Sequence, residues 1–79
     1  MAAPPKSPDH VALGAAIRRL REQKGLSQEQ FGFETQLHRN YIGRVERGEL
    51  NLSFDRLVRV ARALGVPLSE LMSEYERLR

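Results

Sequence analysis

Apolar residues recur three and four positions apart in short blocks from Leu13 to Leu78, and no stretch alternates for long at period two. That spacing puts them on one face of a helix and argues against a fold built on a sheet. Leu13, Ala16, Ile17 and Leu20 make the first stripe, with Asp9 read as its N-cap and Gly25 as its stop. Ser27 and Gln30 match a capping box opening a short helix that carries Phe31 inward and reaches about Glu34. Residues 35–38 form a turn. Helical spacing resumes at 39–47 with Ile42 and Val45 on the inner side and Leu37 just before them, and Gly48 ends it. Ser53 caps a fourth stripe of Phe54, Leu57, Val58, Ala61 and Leu64, closed by Gly65. Pro67 is read as the first residue of a fifth helix, where its missing N–H costs little. The expected fold class is all-α: a compact bundle of five helices joined by short turns.

With 79 residues there is room for one domain and one modest core. Cysteine is absent, so disulfides and thiolate–zinc staples are excluded, and the histidines, His10 and His38, are too far apart to suggest a metal site. Small cores of this kind lean on close helix packing, on self-association, or on both. Residues 1–9, with prolines at 4, 5 and 8 and no periodicity, read as a disordered tail in which Lys6 has at most a weak electrostatic role. Residues 10–79 form the domain. The tail lacks the apolar core of a secretion signal, and no run approaches the ~20 apolar residues that span a bilayer. The expectation is a soluble cytoplasmic protein with no membrane partner.

The net charge is +3, and its placement says more than its sign. Arginines crowd positions 39–47 and 56–62, while Glu70, Glu74 and Glu76 make the last segment acidic. Part of this is ordinary solvated helix surface. The segment 39–47, however, carries Arg39, Asn40, Gly43, Arg44 and Arg47 opposite its apolar side. An α-helix fits the major groove of DNA, where arginine takes guanine O6 and N7 together and asparagine takes adenine N6 and N7. A short helix, a tight turn and such a second helix form a reading head spanning Ser27 to Gly48.

The stretches IRRLREQKGLSQEQF (17–31), YIGRVERG (41–48) and LVRVARALGVPLSEL (57–71) together resemble the Cro/C1-type helix-turn-helix regulators, the XRE family. The segment LHRNYIGRVERGELNL (37–52) is similar to the controller proteins of restriction–modification systems. The resemblance implies a lambda-repressor-like fold, with the helix-turn-helix formed by helices 2 and 3. It implies that Arg39, Asn40, Gly43 and Arg44 read bases, and that Gln28, Tyr41, Arg47 and Asn51 contact phosphates. It also implies an ion pair, Arg21–Glu46, tying the first helix to the recognition helix and orienting it more than stabilising the fold. Three positions depart from the family pattern. Gly32 replaces a small residue, often Ala, at a cost in helix propensity. Gln36 stands where Gly or Asn is usual and must accept a left-handed conformation or a rearranged turn. His38 replaces Ser, Thr or Asp as the recognition-helix cap and is expected to cap poorly.

In the last block, Met72, Tyr75 and Leu78 exceed what a small domain can cover. Leu68, Met72, Tyr75 and Leu78 are therefore expected to form a homodimer interface, setting two reading heads on a palindromic double-stranded DNA operator. The competing class is an antitoxin-like or adaptor module that binds a protein partner and autoregulates its promoter. An enzyme is disfavoured, since the chain shows no nucleophile–base grouping, no phosphate-binding loop and no metal set. No cofactor and no small-molecule ligand are expected.

Overall fold

The computed structural model describes residues 3–79, so the tail reading for residues 1 and 2 lies outside the described residues. Five helices follow in order: α1 Pro8–Gln23, α2 Gln28–Thr35, α3 Arg39–Glu46, α4 Phe54–Leu64 and α5 Leu68–Leu78. No strand occurs among the described residues. α1 is the spine, packing along α5 on one side and across α3 on the other, while α2 packs on α3 and α4. The core gathers Ala16 and Ile17 from α1, Phe31 from α2, and Ile42 and Val45 from α3. Val60, Ala61, Ala63 and Leu64 of α4 and Leu71 of α5 complete it. No helix among the described residues is long and apolar enough to cross a membrane.

Ser27 and Gln30 form the reciprocal capping box of α2, and Ser53 Oγ caps α4 by accepting from the Arg56 N–H. α3 starts at Arg39, as read, whereas the starts of α1 and α5 shift from the sequence reading. Ser7, not Asp9, caps α1: its Oγ accepts the His10 N–H at 3.1 Å. Pro8 explains the earlier start, because its φ is preset for a helix and its missing N–H is one that the first turn would leave unpaired. The Lys6 N–H donates to the Gly48 carbonyl at 2.8 Å, so the ordered domain begins near Lys6 rather than at residue 10. Pro67 is the N-cap of α5, so the helix starts at Leu68, one position later than read, and the Pro67 carbonyl accepts from Glu70 and Leu71.

One apolar expectation is corrected, and the setting of four others is now visible. Phe54 is 69% exposed instead of lining the core. It occupies the first position of α4, where Cβ leans toward the N-terminus and carries the ring off the end of the helix. Conversely, Leu68, Met72, Tyr75 and Leu78 are half-buried within a single chain and pack against its core. The sixteen residues of α1 are long enough to run beside α5. The Tyr75 hydroxyl donates to Asp9 Oδ1 at 2.8 Å, and Arg19 pairs with Glu74 at 3.1 Å. One domain therefore covers more of α5 than its apolar count suggested.

The turn between α2 and α3 accounts for the departures at 32, 36 and 38. Gln36 adopts φ 60°, ψ 31°, the left-handed conformation, so the turn is kept and the backbone bears the strain. A Cβ at Gly32 would lie 2.6 Å from the Leu37 carbonyl oxygen. Glycine is thus what lets the chain fold back so closely, and its lower helix propensity is offset by this approach. His38 caps α3 after all: its unprotonated Nδ1 accepts the Asn40 N–H at 3.0 Å. Gln36→Gly should stabilise the fold by about 1 kcal/mol, because glycine enters this conformation without the Cβ–carbonyl clash. Urea unfolding would read this as a higher midpoint at unchanged slope; a lower midpoint would show that the glutamine side chain compensates for its backbone.

Candidate nucleic-acid interface

Glu46, at the end of α3, is the hub that fixes the reading head. It is 8% exposed and accepts two bonds from one guanidinium, Arg21 Nε to Oε2 at 2.6 Å and Arg21 Nη2 to Oε1 at 3.0 Å. Arg21 Nη1 donates to the Leu26 carbonyl at 2.8 Å, so the pair also secures the α1–α2 turn. The hydrogen bond to Glu46 raises the Arg21 pKa above its already high ordinary value, against the opposing effect of burial. Oε1 of Glu46 also accepts from Gln28 Nε2 at 3.0 Å. Gln28, assigned by resemblance to a phosphate, is therefore already oriented by the same carboxylate. α1, α2 and α3 meet on one buried charge.

Gln28, Arg39, Asn40, Gly43, Arg44 and Arg47 surround one shallow depression on the outer side of this junction. The N-terminus of α2 supplies the first, α3 the next four, and Arg47 follows directly on the end of α3. Gly43 presents no side chain to it. A Cβ there would sit 3.1 Å from Arg47 Nη1, so the bare backbone leaves room for that guanidinium, while Gln28 Oε1 at 3.6 Å would be in ordinary contact. Arg39, Asn40, Arg44 and Arg47 are all exposed. The three arginines are ion-paired: Arg39 with Glu29 at 3.0 Å, Arg44 with Glu49 at 3.5 Å and Arg47 with Glu49 at 2.6 Å. The hydrogen bond with Glu49 raises the Arg47 pKa above its ordinary value.

Tyr41 and Asn51 do not line that depression. The Tyr41 hydroxyl accepts from Arg56 Nη1 at 3.0 Å, and the Arg56 guanidinium lies over its ring, 4.9 Å from the centre. This couples α3 to the start of α4. Asn51 Oδ1 is bonded to His10 Nε2, while His10 Nδ1 pairs with Ser7 Oγ. A neutral ring with its proton on Nε2 satisfies both contacts: it donates to Asn51 and accepts from the Ser7 hydroxyl.

Sequence reading missed Glu49, His10 and Gly14. Spacing gives no rule that pairs Glu49 with Arg44 five residues earlier, or His10 with a side chain forty-one residues away. Gly14 reads as a weak point in α1 but is a contact: a Cβ there would lie 2.4 Å from the Val45 carbonyl oxygen of α3.

The sequence matches the helix-turn-helix family HTH_3 over residues 17–71, more than half of the chain. It is 42% identical over 63 residues to the control protein C.BamHI of Bacillus amyloliquefaciens, covering 78% of each protein. It is 37% identical over 68 residues to the control protein C.MunI of a Mycoplasma species, covering 85% of this chain and 92% of the relative. Among solved structures, the restriction–modification controller protein C.AhdI of Aeromonas hydrophila superposes with a TM-score of 0.80 at 43% identity, covering 82% of this chain and 98% of that one. The clp gene regulator ClgR of Corynebacterium glutamicum superposes at 0.87 with 28% identity, over 94% and 95% of the two chains. Family match, near-full-length relatives and a shared five-helix arrangement agree: this chain belongs to the Cro/C1-type helix-turn-helix DNA-binding regulators and is homologous to restriction–modification controller proteins.

Proposed function

We propose that the chain acts in the cytoplasm as a sequence-specific transcriptional regulator, binding a palindromic double-stranded operator as a homodimer and governing restriction–modification genes. The observation that carries this reading is the convergence of Gln28, Arg39, Asn40, Gly43, Arg44 and Arg47 on one face, across the N-terminus of α2 and the length of α3. With α3 in the major groove, Arg39, Asn40 and Arg44 meet base edges, and Gly43 lets the helix and its neighbours approach closely. Gln28 at the first position of α2, with Tyr41, Arg47 and Asn51, meets phosphates and sets the register.

The dimer reading rests on apolar side chains that a single chain leaves partly exposed. Leu57, Met72, Tyr75 and Leu13 line one groove, and Phe54, 69% exposed, sits one helical turn before Leu57 on α4. Leu68 and Leu78 extend the half-buried apolar row along α5. The domain measures 28 × 26 × 22 Å, so the centres of two touching copies lie about one domain width apart, and reading heads on their outer sides can stand ~34 Å apart, the spacing of successive half-sites.

Selection of bound duplexes from random DNA tests both parts together. An inverted repeat with half-site centres about one helical turn apart is expected; a single unrepeated site would overturn the symmetric dimer. On the selected operator, Arg44→Ala should lose about 1–3 kcal/mol and relax preference at one base pair. An equal loss on scrambled DNA would place Arg44 on a phosphate instead.

A further inference from the structure

The first four helices end alike. In each, the N–H of the residue after the left-handed one returns to a carbonyl five positions back: Leu26 to Arg21, Leu37 to Gly32, Glu49 to Arg44 and Val66 to Ala61. The left-handed residue also closes on the carbonyl three before it, which makes each end a Schellman motif. In that motif the last residue folds back over the final turn, and an apolar side chain normally fills the position. Leu26, Leu37 and Val66 do so, each packed against the core. At the end of α3 the same position holds Glu49, only 5% exposed. A buried carboxylate where three sister turns have an aliphatic residue is costly unless its charge is used.

Its partners show the use. Glu49 Oε2 takes the Nε–H of Arg47 at 2.6 Å, and Oε1 lies 3.5 Å from Nε of Arg44. Both guanidiniums are therefore approached at Nε, and about half of each arginine side chain remains exposed. A guanidinium anchored at Nε still presents its two terminal nitrogens, the pair that can straddle guanine O6 and N7 or two phosphate oxygens. The Arg47 hydrogen bond is the foremost cause of a Glu49 carboxyl held below the usual carboxylate range. The charge is thus complete above that range and is lost only as pH falls from there through the lowered value.

We propose that Glu49 is a positioning residue for DNA specificity: through Nε it presets Arg44 and Arg47, so that both arrive at the operator with their terminal nitrogens already aimed. The proposal rests on the DNA-reading function above and adds to it the residue that orients the reading side chains. Presetting lowers the rotamer entropy lost on binding the correct sequence, whereas a freed arginine can settle on any nearby phosphate.

The test compares wild type, Glu49→Gln and Glu49→Leu as full chains on the operator selected by wild type and on a scrambled duplex. Leucine restores the residue type of the three sister turns, so its melting temperature should hold or rise. Both variants should lose about tenfold in the ratio of operator to scrambled affinity, with scrambled binding equal or tighter because a negative charge has left the face. An unchanged ratio, or parallel losses that track the melting temperature, would overturn the proposal while leaving the DNA reading intact. A wild-type chain that selects no sequence would overturn the DNA reading, and the proposal with it. Independently of DNA, the Nε–H signal of Arg47 in the free protein should be protected from solvent exchange in wild type and lose protection in Glu49→Leu. Fast exchange of that signal in wild type would by itself overturn the presetting.

Discussion

Glu46→Ala is expected to destabilise the fold by about 3–5 kcal/mol, the range found when one partner of a buried ion pair is removed. Alanine would leave the Arg21 guanidinium, 7% exposed, with only the Leu26 carbonyl, and would take the acceptor from the Gln28 amide. Against a typical total of roughly 5–15 kcal/mol, such a loss leaves a large unfolded fraction at physiological temperature. Urea unfolding should show a much lower midpoint at unchanged slope. A loss below about 1 kcal/mol would mean that water reaches Arg21 and solvates it in place of the carboxylate. The double variant Arg21→Met with Glu46→Leu separates stability from orientation. Replacing both charges with apolar side chains should recover most of the stability. DNA affinity should stay low, because Gln28 and α3 lose the common partner that aligns them.

Gly14→Ala is expected to cost about 2–3 kcal/mol, although alanine is the better helix former by about 1 kcal/mol. The new methyl would lie 2.4 Å from the Val45 carbonyl oxygen, 2.6 Å from that of Glu46 and 2.8 Å from the Glu46 carbonyl carbon. All three are backbone atoms, so no rotamer change relieves the clash. α1 and α3 must move apart, and the recognition helix shifts relative to the rest of the domain. The loss should therefore appear twice, as a lower unfolding midpoint and as weaker operator binding at temperatures where the variant is still folded. A stabilised variant would show that the two helices have slack at their crossing. Gly14 and Glu46 act on the same α1–α3 contact, so the two substitutions together should not add.

Most of the helical architecture could be read from the residues, for local reasons. Ser27 with Gln30, and the glycines after α1, α3 and α4, act within four or five positions, and the chain obeys them. The exposed polar face of α3 was also legible, because a helix with Ile42 and Val45 on one side must carry Arg39, Asn40 and Arg44 on the other. The errors cluster where a local signal met a distant partner. Asp9 looked like a cap because no spacing could show that Tyr75 would claim its carboxylate. Phe54 fitted a stripe whose first position falls beyond the core.

What the sequence by itself determined, then, is the set of helices, their ends and the chemistry of the exposed face, since 3.6-residue periodicity and capping are properties of neighbouring residues. Tertiary structure alone decided how that face is held. It joined Arg21, Gln28 and Glu46 across three helices, brought Gly14 against the backbone of α3, tied His10 to Asn51, and turned Glu49 under Arg44 and Arg47. The physical reason is burial. A carboxylate excluded from water must find donors wherever the packed chain brings them, and that choice is made only when the helices close.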